Sequence, residues 1–167
     1  LTFLQSLNNI WIPTNDFIHQ SGLIRPIVSS INLIDYSLWG LNPFGYHLTN
    51  TIFHLINILL VYIFSIQIFN NKKLSFFCSF IFLFHPIIAN SVYWISGRTD
   101  IIACTFYLIS SIMLNKFISH KKNIFLILSS FSFLSALLSK EVAITLPLIH
   151  IWQIIYQFYI KKSSINL

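Results

Sequence analysis

The chain has 167 residues, of which 56% are hydrophobic and only 8% are charged, and its mean hydropathy is +0.75. A soluble domain of this length cannot bury so much apolar surface, so the composition excludes an ordinary soluble globular protein. The net charge of +6 does not indicate nucleic-acid binding, because the basic residues fall in short breaks between apolar stretches. The composition predicts an all-α, polytopic membrane helix bundle embedded in a lipid bilayer.

The N-terminal part of the chain, residues 1–46, differs from the rest. Proline and glycine interrupt its short apolar stretches, at Pro13, Gly22, Pro26, Gly40, Pro43 and Gly45. This pattern predicts a non-cytoplasmic loop segment that carries short helices. The chain shows no basic segment with a cleavage site, so we expect no signal peptide. Because it begins at Leu1, we also expect that further sequence lies upstream.

Five apolar stretches follow this loop segment. A helix rises about 1.5 Å per residue and must cross a hydrocarbon core of about 30 Å, so each stretch is a candidate span. Pro86 lacks a backbone N–H, which predicts that the second span bends or ends there. We predict a transmembrane bundle over 47–160 and a cytoplasmic end at 161–167. The predicted spans are 47–69, 74–94, 101–118, 123–138 and 142–160.

The distribution of charge predicts how the bundle is oriented. Lysine and arginine are retained on the cytoplasmic side of membrane proteins, while acidic residues contribute little to orientation. Seven of the ten basic residues fall in alternate breaks, which we therefore expect to be cytoplasmic: Lys72, Lys73, Lys116, Lys121, Lys122, Lys161 and Lys162. The opposite side receives the other three, which are Arg25, Arg98 and Lys140.

All four acidic residues fall on the same side as these three cations: Asp16, Asp35, Asp100 and Glu141. Positive-inside sorting does not require this placement, and charges near a membrane are costly and tend to mark function. The clustering therefore indicates a polar site, with mutual neutralisation at the helix ends as the alternative account.

Two uncharged polar patterns lie within the spans. His47, Asn50, His54 and Asn57 are spaced by three or four residues, which predicts a polar stripe that faces protein, with His47 near the outer end. Small residues on the fourth span predict close helix packing rather than nucleophilic catalysis. They are Ser129, Ser130, Ser132, Ser135 and Ser139. The six histidines lack metal-ligand spacing, so no metal site is predicted.

Three stretches carry a family resemblance. The first begins at Arg25-Pro26 and includes Asp-Tyr-Ser-Leu-Trp-Gly at 35–40 and His54; the second runs from His85-Pro86 to Ser-Gly-Arg-Thr-Asp at 96–100. The third runs from Ser-Lys-Glu at 139–141 to Pro147. Together they resemble the amino-terminal membrane region of the protein O-mannosyltransferase family that carries tetratricopeptide repeats, within the GT-C glycosyltransferase superfamily.

The resemblance implies an enzyme that transfers a sugar, in this family mannose, from a polyprenyl-phosphate carrier to serine or threonine hydroxyls of an acceptor protein. The site would face the lumen of the endoplasmic reticulum in a eukaryote, or the periplasm from the inner membrane of a prokaryote. The lipid-linked donor is a substrate, and no cofactor is implied.

The same resemblance implies roles for charged residues. Arg25, Arg98 and Lys140 would bind the donor phosphate and stabilise the charge left as the sugar departs. A supporting polar site is expected from His47, His85, Asp100 and Glu141, and the two carboxylates among them are expected to orient Arg98 and Lys140.

The catalytic base is the point at which this chain departs from the family. The family carries an acidic pair before its Arg-Pro motif, and no Asp-Asp pair is present here. Asp16 is the candidate base in this chain, but we expect the base to lie upstream of Leu1 and the fragment alone to be inactive. Asp35 is expected to belong to a scaffold motif and to pair with Arg25.

Two other classes of protein remain open. A transporter or flippase would use the buried polar stripes and the proline-broken helix to line a substrate path. A non-catalytic membrane scaffold is the third possibility.

Overall fold

The computed structural model describes residues 2–11 and 25–165, which are mostly helical and contain no strand. The described α-helices are α1 (Phe3–Trp11), α2 (Pro26–Trp39), α3 (Pro43–Phe69), α4 (Lys72–Phe84), α5 (Pro86–Tyr93), α6 (Arg98–His120), α7 (Asn123–Leu137) and α8 (Leu146–Ile165). Short 3-10 helices at Ile95–Gly97 and Glu141–Thr145 precede α6 and α8. The predicted all-α class is confirmed, and Asp16 lies outside the described residues.

Three helical segments are long and apolar enough to cross a membrane: Pro43–Phe69, Ile95–His120 and Glu141–Tyr159. The pair formed by α4 and α5 makes a fourth if it counts as one bent span. The sequence predicts about five spans, one more than these four, and the additional predicted span is α7. That helix is apolar but has only 15 residues, or about 22 Å, which is shorter than a hydrocarbon core of about 30 Å.

The turn between α2 and α3 is set by local sequence. Gly40 adopts a φ of +59°, which ends α2 at little steric cost. The side chain of Asn42 then accepts a hydrogen bond from the N–H of Phe44, and Pro43 occupies the first turn of α3. A Cβ atom at Gly45 would lie 2.1 Å from Cγ of Trp39, so the ring packs directly on the glycine backbone. This contact requires a glycine at position 45.

The bend between α4 and α5 occurs at Pro86, as the sequence predicts. His85 has extended backbone angles and separates the two helices, because proline disfavours a helical conformation in the residue before it. The axes of α4 and α5 differ by 48°. The bend carries the chain away from α4 and into the 3-10 turn that precedes α6.

Helix α6 is the centre of the bundle and packs against α3, α7 and α8. Its buried residues include Ile101, Ile102 and Ala103 near the N-terminal end and Ser110 and Ser111 in the middle. Asn57 on α3 contacts Ile101 at the start of α6, and Gln67 further along α3 contacts Asn115 further along α6, so these two helices run in the same direction. Polar residues and small side chains therefore make up much of the interior, as in other membrane bundles.

Serines mediate the close contact between α6 and α7. Ser110 donates to the backbone oxygen of Ser129 at 2.8 Å, and Ser129 donates to the backbone oxygen of Ser110 at 2.9 Å. Ser132, Ser135 and Ser139 are also buried, with at most 6% of each residue exposed. The predicted packing role of these serines is confirmed, whereas Ser130 is exposed.

Substitution of Ser129 by leucine should therefore destabilise the bundle. The larger side chain would separate α6 from α7 and break the two reciprocal hydrogen bonds, and overpacking of a tight contact costs about 1–3 kcal/mol. Thermal unfolding in detergent should show a lower Tm for Ser129→Leu. Ser130→Leu is the matched control, because its side chain points away from this contact; equal Tm values for the two variants would contradict the packing model.

Candidate functional site

Charged residues from distant parts of the chain form three ion pairs at one end of the bundle. They are Arg25–Glu141, Arg98–Asp35 and Lys140–Asp100. Lys140 and Glu141 are adjacent in sequence, and Arg98 and Asp100 lie in the same helical turn, so the three pairs form one continuous cluster. The structure thus brings together the three predicted phosphate-binding residues and the predicted acidic partners.

Arg98 and Asp35 are the buried members of this cluster, with only 2% and 3% of each residue exposed. Nη1 of Arg98 lies 2.7 Å from Oδ2 of Asp35 and donates to Oδ1 of Asn32 at 2.6 Å. Nε donates to Oδ1 of Asn50 at 3.1 Å, and Nη2 donates to the backbone oxygen of Tyr46 at 3.1 Å. Such an arrangement offsets the cost of burying the guanidinium group, because charge and hydrogen bonds are satisfied together.

The surroundings of Arg98 join three helices. Asp35 comes from α2 and also accepts a hydrogen bond from Oγ1 of Thr49 on α3, at 2.8 Å. The guanidinium group lies 5.4 Å from the centre of the Tyr46 ring, and Tyr46 donates its hydroxyl proton to the backbone oxygen of Gly40 at 2.8 Å. The network therefore fixes α2, α3 and the start of α6 relative to one another.

The pairing differs from the expected pairing for Asp35 and for Glu141. Asp35 pairs with Arg98 and not with Arg25, because ten residues of helix α2 separate Asp35 from Arg25 by about 15 Å. Asp100 pairs with Lys140, in agreement with its expected role of orienting Arg98 or Lys140. Glu141 was expected to orient one of the same two cations and pairs with Arg25 instead. Only the three-dimensional packing decides which cation each carboxylate meets.

The other two ion pairs are partly open to solvent. Nη2 of Arg25 donates to both carboxylate oxygens of Glu141, at 2.9 and 3.0 Å. The side chains of Arg25 and Glu141 are 25% and 57% exposed, and those of Lys140 and Asp100 are 22% and 50% exposed. Exposed pairs of this kind contribute little to stability, so their cations are free to exchange a carboxylate for another anion.

A cavity of about 1060 Å³ opens next to this cluster, between α3 and the chain that links α4 to α6. Its lining includes His47, His54, Leu83, Tyr93 and Trp94. The His47 ring lies 6.0 Å from the exposed Tyr93 ring. Since most of the lining is apolar, the cavity suits a hydrocarbon chain, with polar groups available from the two histidines.

A second cavity of about 210 Å³ shares His54 with the first and reaches Asn57, Asp100 and Cys104. Asn50, His54 and Asn57 are buried, so the predicted protein-facing stripe on α3 is confirmed for these three residues. Asn57 donates to the backbone oxygen of Ile101 at 2.9 Å. The stripe thus connects α3 to α6 and lines the smaller cavity.

The two histidines of the predicted supporting site, His47 and His85, lie in different parts of the structure. His47 lies at the larger cavity. His85 is exposed at the break between α4 and α5 and makes no side-chain hydrogen bond or ion pair within the described ranges. The sequence analysis did not identify Asn32, although its position three residues before Asp35 on α2 places both on one helix face.

Comparisons with known proteins identify relatives of this chain. No family model matches it, and no solved structure matches it. The chain is 33% identical over 132 residues to "Protein O-mannosyl-transferase TMTC1" of Homo sapiens, an alignment that covers 72% of this chain and 15% of that protein. The Mus musculus protein of the same name is 31% identical over 138 residues, covering 72% of this chain and 14% of that protein.

A third relative has a similar identity and coverage. "Protein O-mannosyl-transferase Tmtc1" of Drosophila melanogaster is 29% identical over 124 residues, covering 74% of this chain and 14% of that protein. The chain therefore spans about one seventh of the length of these relatives. The resemblance predicted from the motifs is confirmed, and the chain is a homologue of a segment of the TMTC protein O-mannosyl-transferases.

Proposed function

We propose that this chain is part of a GT-C type glycosyltransferase that moves mannose from a polyprenyl-phosphate donor to serine or threonine hydroxyls of an acceptor protein. The observation that carries the proposal is the pairing of Arg25 and Lys140 with exposed carboxylates at the end of the bundle where a large apolar cavity opens. Asn50 links the two, because it accepts from Arg98 and donates to Val92 in the cavity wall. The names of the relatives supply the reaction class. In this proposal, the cluster faces the lumen or periplasm and the bundle is integral to the membrane.

The donor has two parts, and the site offers a complement to each. Its prenyl chain is apolar and suits the cavity wall formed by Leu83, Tyr93 and Trp94. Its phosphate is anionic and suits Arg25 and Lys140, which would exchange Glu141 and Asp100 for phosphate oxygens. When the sugar departs, the phosphate keeps the electron pair of the broken bond, and the two cations stabilise that charge.

Arg98 has a different role in this proposal. Its side chain is buried and bonded to Asn32, Asn50, Asp35 and the Tyr46 backbone, so it has no free face for a donor phosphate. It acts as a positioning residue that holds the start of α6, and with it Asp100, against α2 and α3. The phosphate-binding role predicted for three cations is therefore assigned to the two that are partly exposed.

The acceptor hydroxyl must lose a proton during transfer. A carboxylate held beside it would act as general base, a contribution of about a hundredfold to ten-thousandfold in rate. Asp16 keeps this role as the candidate in the present chain. His47, at the cavity, is assigned to contact the sugar or the acceptor.

Substitution Arg25→Ala, made in the complete enzyme, should lower mannose transfer by about a hundredfold or more, because one donor to the developing negative charge is lost. Transfer is measured as radiolabelled mannose that passes from dolichyl phosphate mannose to acceptor protein in isolated membranes. Lys73→Ala is the matched control, since it removes a cation from the opposite end of the bundle and should leave transfer unchanged.

An Arg25→Ala enzyme that transfers mannose at the normal rate would contradict the assigned role. Movement of the labelled donor across the bilayer without transfer to protein would instead support the transporter alternative. Membrane insertion of each variant should be equal to that of the parent, because no apolar area is removed.

Asp35→Ala should unfold the bundle more easily, because Arg98 would remain buried without its counter-charge. Breaking a buried ion pair in this way costs about 3–5 kcal/mol. The measurement is the Tm in detergent, with Glu141→Ala as the control at a solvent-exposed pair, for which we expect a Tm close to that of the parent. A smaller decrease in Tm for Asp35→Ala than for Glu141→Ala would contradict the structural role of the buried pair.

A further inference from the structure

The end of the bundle opposite the ion pairs is strongly basic. Five lysines lie there, at the loop between α3 and α4 and at the end of α6 and the following loop: Lys72, Lys73, Lys116, Lys121 and Lys122. The acidic residues in the described ranges are all at the other end, engaged with Arg25, Arg98 and Lys140. This end therefore carries uncompensated positive charge, which attracts anions from the membrane surface.

Between the lysines, amide side chains line a cleft formed by α3, α6 and α8. Two adjoining cavities of about 300 and 250 Å³ share the residues Gln67, Asn70, Asn115, Ser119 and Gln157. Asn115 donates to Oε1 of Gln67 at 3.2 Å, and Gln157 donates to Oδ1 of Asn115 at 2.8 Å. We call this space the amide cleft. Its walls offer both hydrogen-bond donors and acceptors, as a hydroxyl-bearing ligand requires.

Gln153 adds a second observation at the amide cleft, a buried acceptor without a partner among the described residues. The residue lines the cleft and is only 1% exposed. Its Nε2 donates to the backbone oxygen of Ser111 at 3.4 Å, but its Oε1 is buried and has no hydrogen-bond partner among the described residues. A buried amide oxygen without a donor is costly, so a hydroxyl group from a ligand would satisfy it.

Basic and aromatic side chains form the rim of the cleft. Lys116 and His120 stand on one side of it. On the other side Trp152 is 49% exposed and stacks on Tyr156, with 5.2 Å between the ring centres. Aromatic rings of this kind favour the boundary between headgroups and hydrocarbon. The cleft therefore opens where a lipid would place its headgroup inside and its acyl chains outside.

We propose that the amide cleft binds the headgroup of an anionic phospholipid that carries several hydroxyl groups, of the phosphatidylinositol class. The hydroxyls bond to the amides of Gln67, Asn115, Gln153 and Gln157, and the phosphate lies by Lys116. This site is separate from the proposed donor site, which is at the other end of α3 and α6.

The test compares three lipids on one protein. The protein, purified in detergent, is mixed with dioctanoyl phosphatidylinositol, phosphatidylserine or phosphatidylcholine, and the bound lipid is counted by native mass spectrometry. We expect phosphatidylinositol to bind about tenfold more tightly than phosphatidylserine, the factor that one additional satisfied buried hydrogen bond provides, and phosphatidylcholine to bind least. Equal binding of the first two would show attraction by charge alone and would overturn the proposal, as would equal binding of all three.

Variants locate the site. Gln153→Leu should reduce phosphatidylinositol binding about tenfold, to the level of phosphatidylserine, because the buried acceptor is removed. Asn57→Leu is the matched control, since it removes a buried amide of α3 outside the cleft and should keep the preference. If Gln153→Leu binds phosphatidylinositol as the parent does, the site is elsewhere and the proposal fails; the lipid comparison on the parent protein decides the case even if a variant does not fold.

Discussion

The buried ion pair between Arg98 and Asp35 is the interaction on which the charged end of this protein depends. A guanidinium group and a carboxylate in a membrane bundle are stable only when each is paired and hydrogen bonded. The structure meets this condition with hydrogen-bond partners from α2 and α3, which are Asn32, Thr49 and Asn50. Because the donors and acceptors are shared among α2, α3 and α6, these helices have one relative arrangement.

That arrangement in turn positions the partly exposed charges. Asp100 lies in the first turn of α6 and meets Lys140, which follows α7. The adjacent Glu141 meets Arg25, which precedes α2. A buried pair that holds the helices together thus supports two pairs that are open to solvent. In the proposed function, rigid support beneath an accessible cation would favour electrostatic stabilisation of the departing phosphate, since the cation then needs no reorganisation during the reaction.

The two ends of the bundle differ in their chemistry. One end has cations balanced by carboxylates and lies next to an apolar cavity, while the other has lysines without acidic partners in the described ranges and an amide cleft. The stripe of buried polar residues on α3 runs between them, from Asn50 through Asn57 towards Gln67. A proposed lipid-linked substrate at one end and a proposed lipid headgroup at the other would both be bound at the edge of the hydrocarbon region.

The amino-acid sequence by itself determined the class of the protein and much of its local structure. Apolar stretches separated by lysine-rich breaks predict a helical membrane bundle, Pro86 predicts the bend, and the serines of α7 predict close packing, because these properties depend on hydrophobicity and local backbone geometry. The number of spans depends on more than the apolar stretches, since such a stretch can form a helix shorter than the hydrocarbon core, as Asn123–Leu137 does with its 15 residues. That helix still returns the chain from the lysine-rich end to Lys140 at the ion-paired end.

Only the tertiary structure decided which charges pair and which are buried. Arg25, Arg98 and Lys140 look equivalent in the sequence, yet one is enclosed and two are partly exposed. The physical reason is that an ion pair is a contact between helices: its partners depend on the rotation and separation of those helices, which are set by the packing of the whole bundle and not by any local pattern.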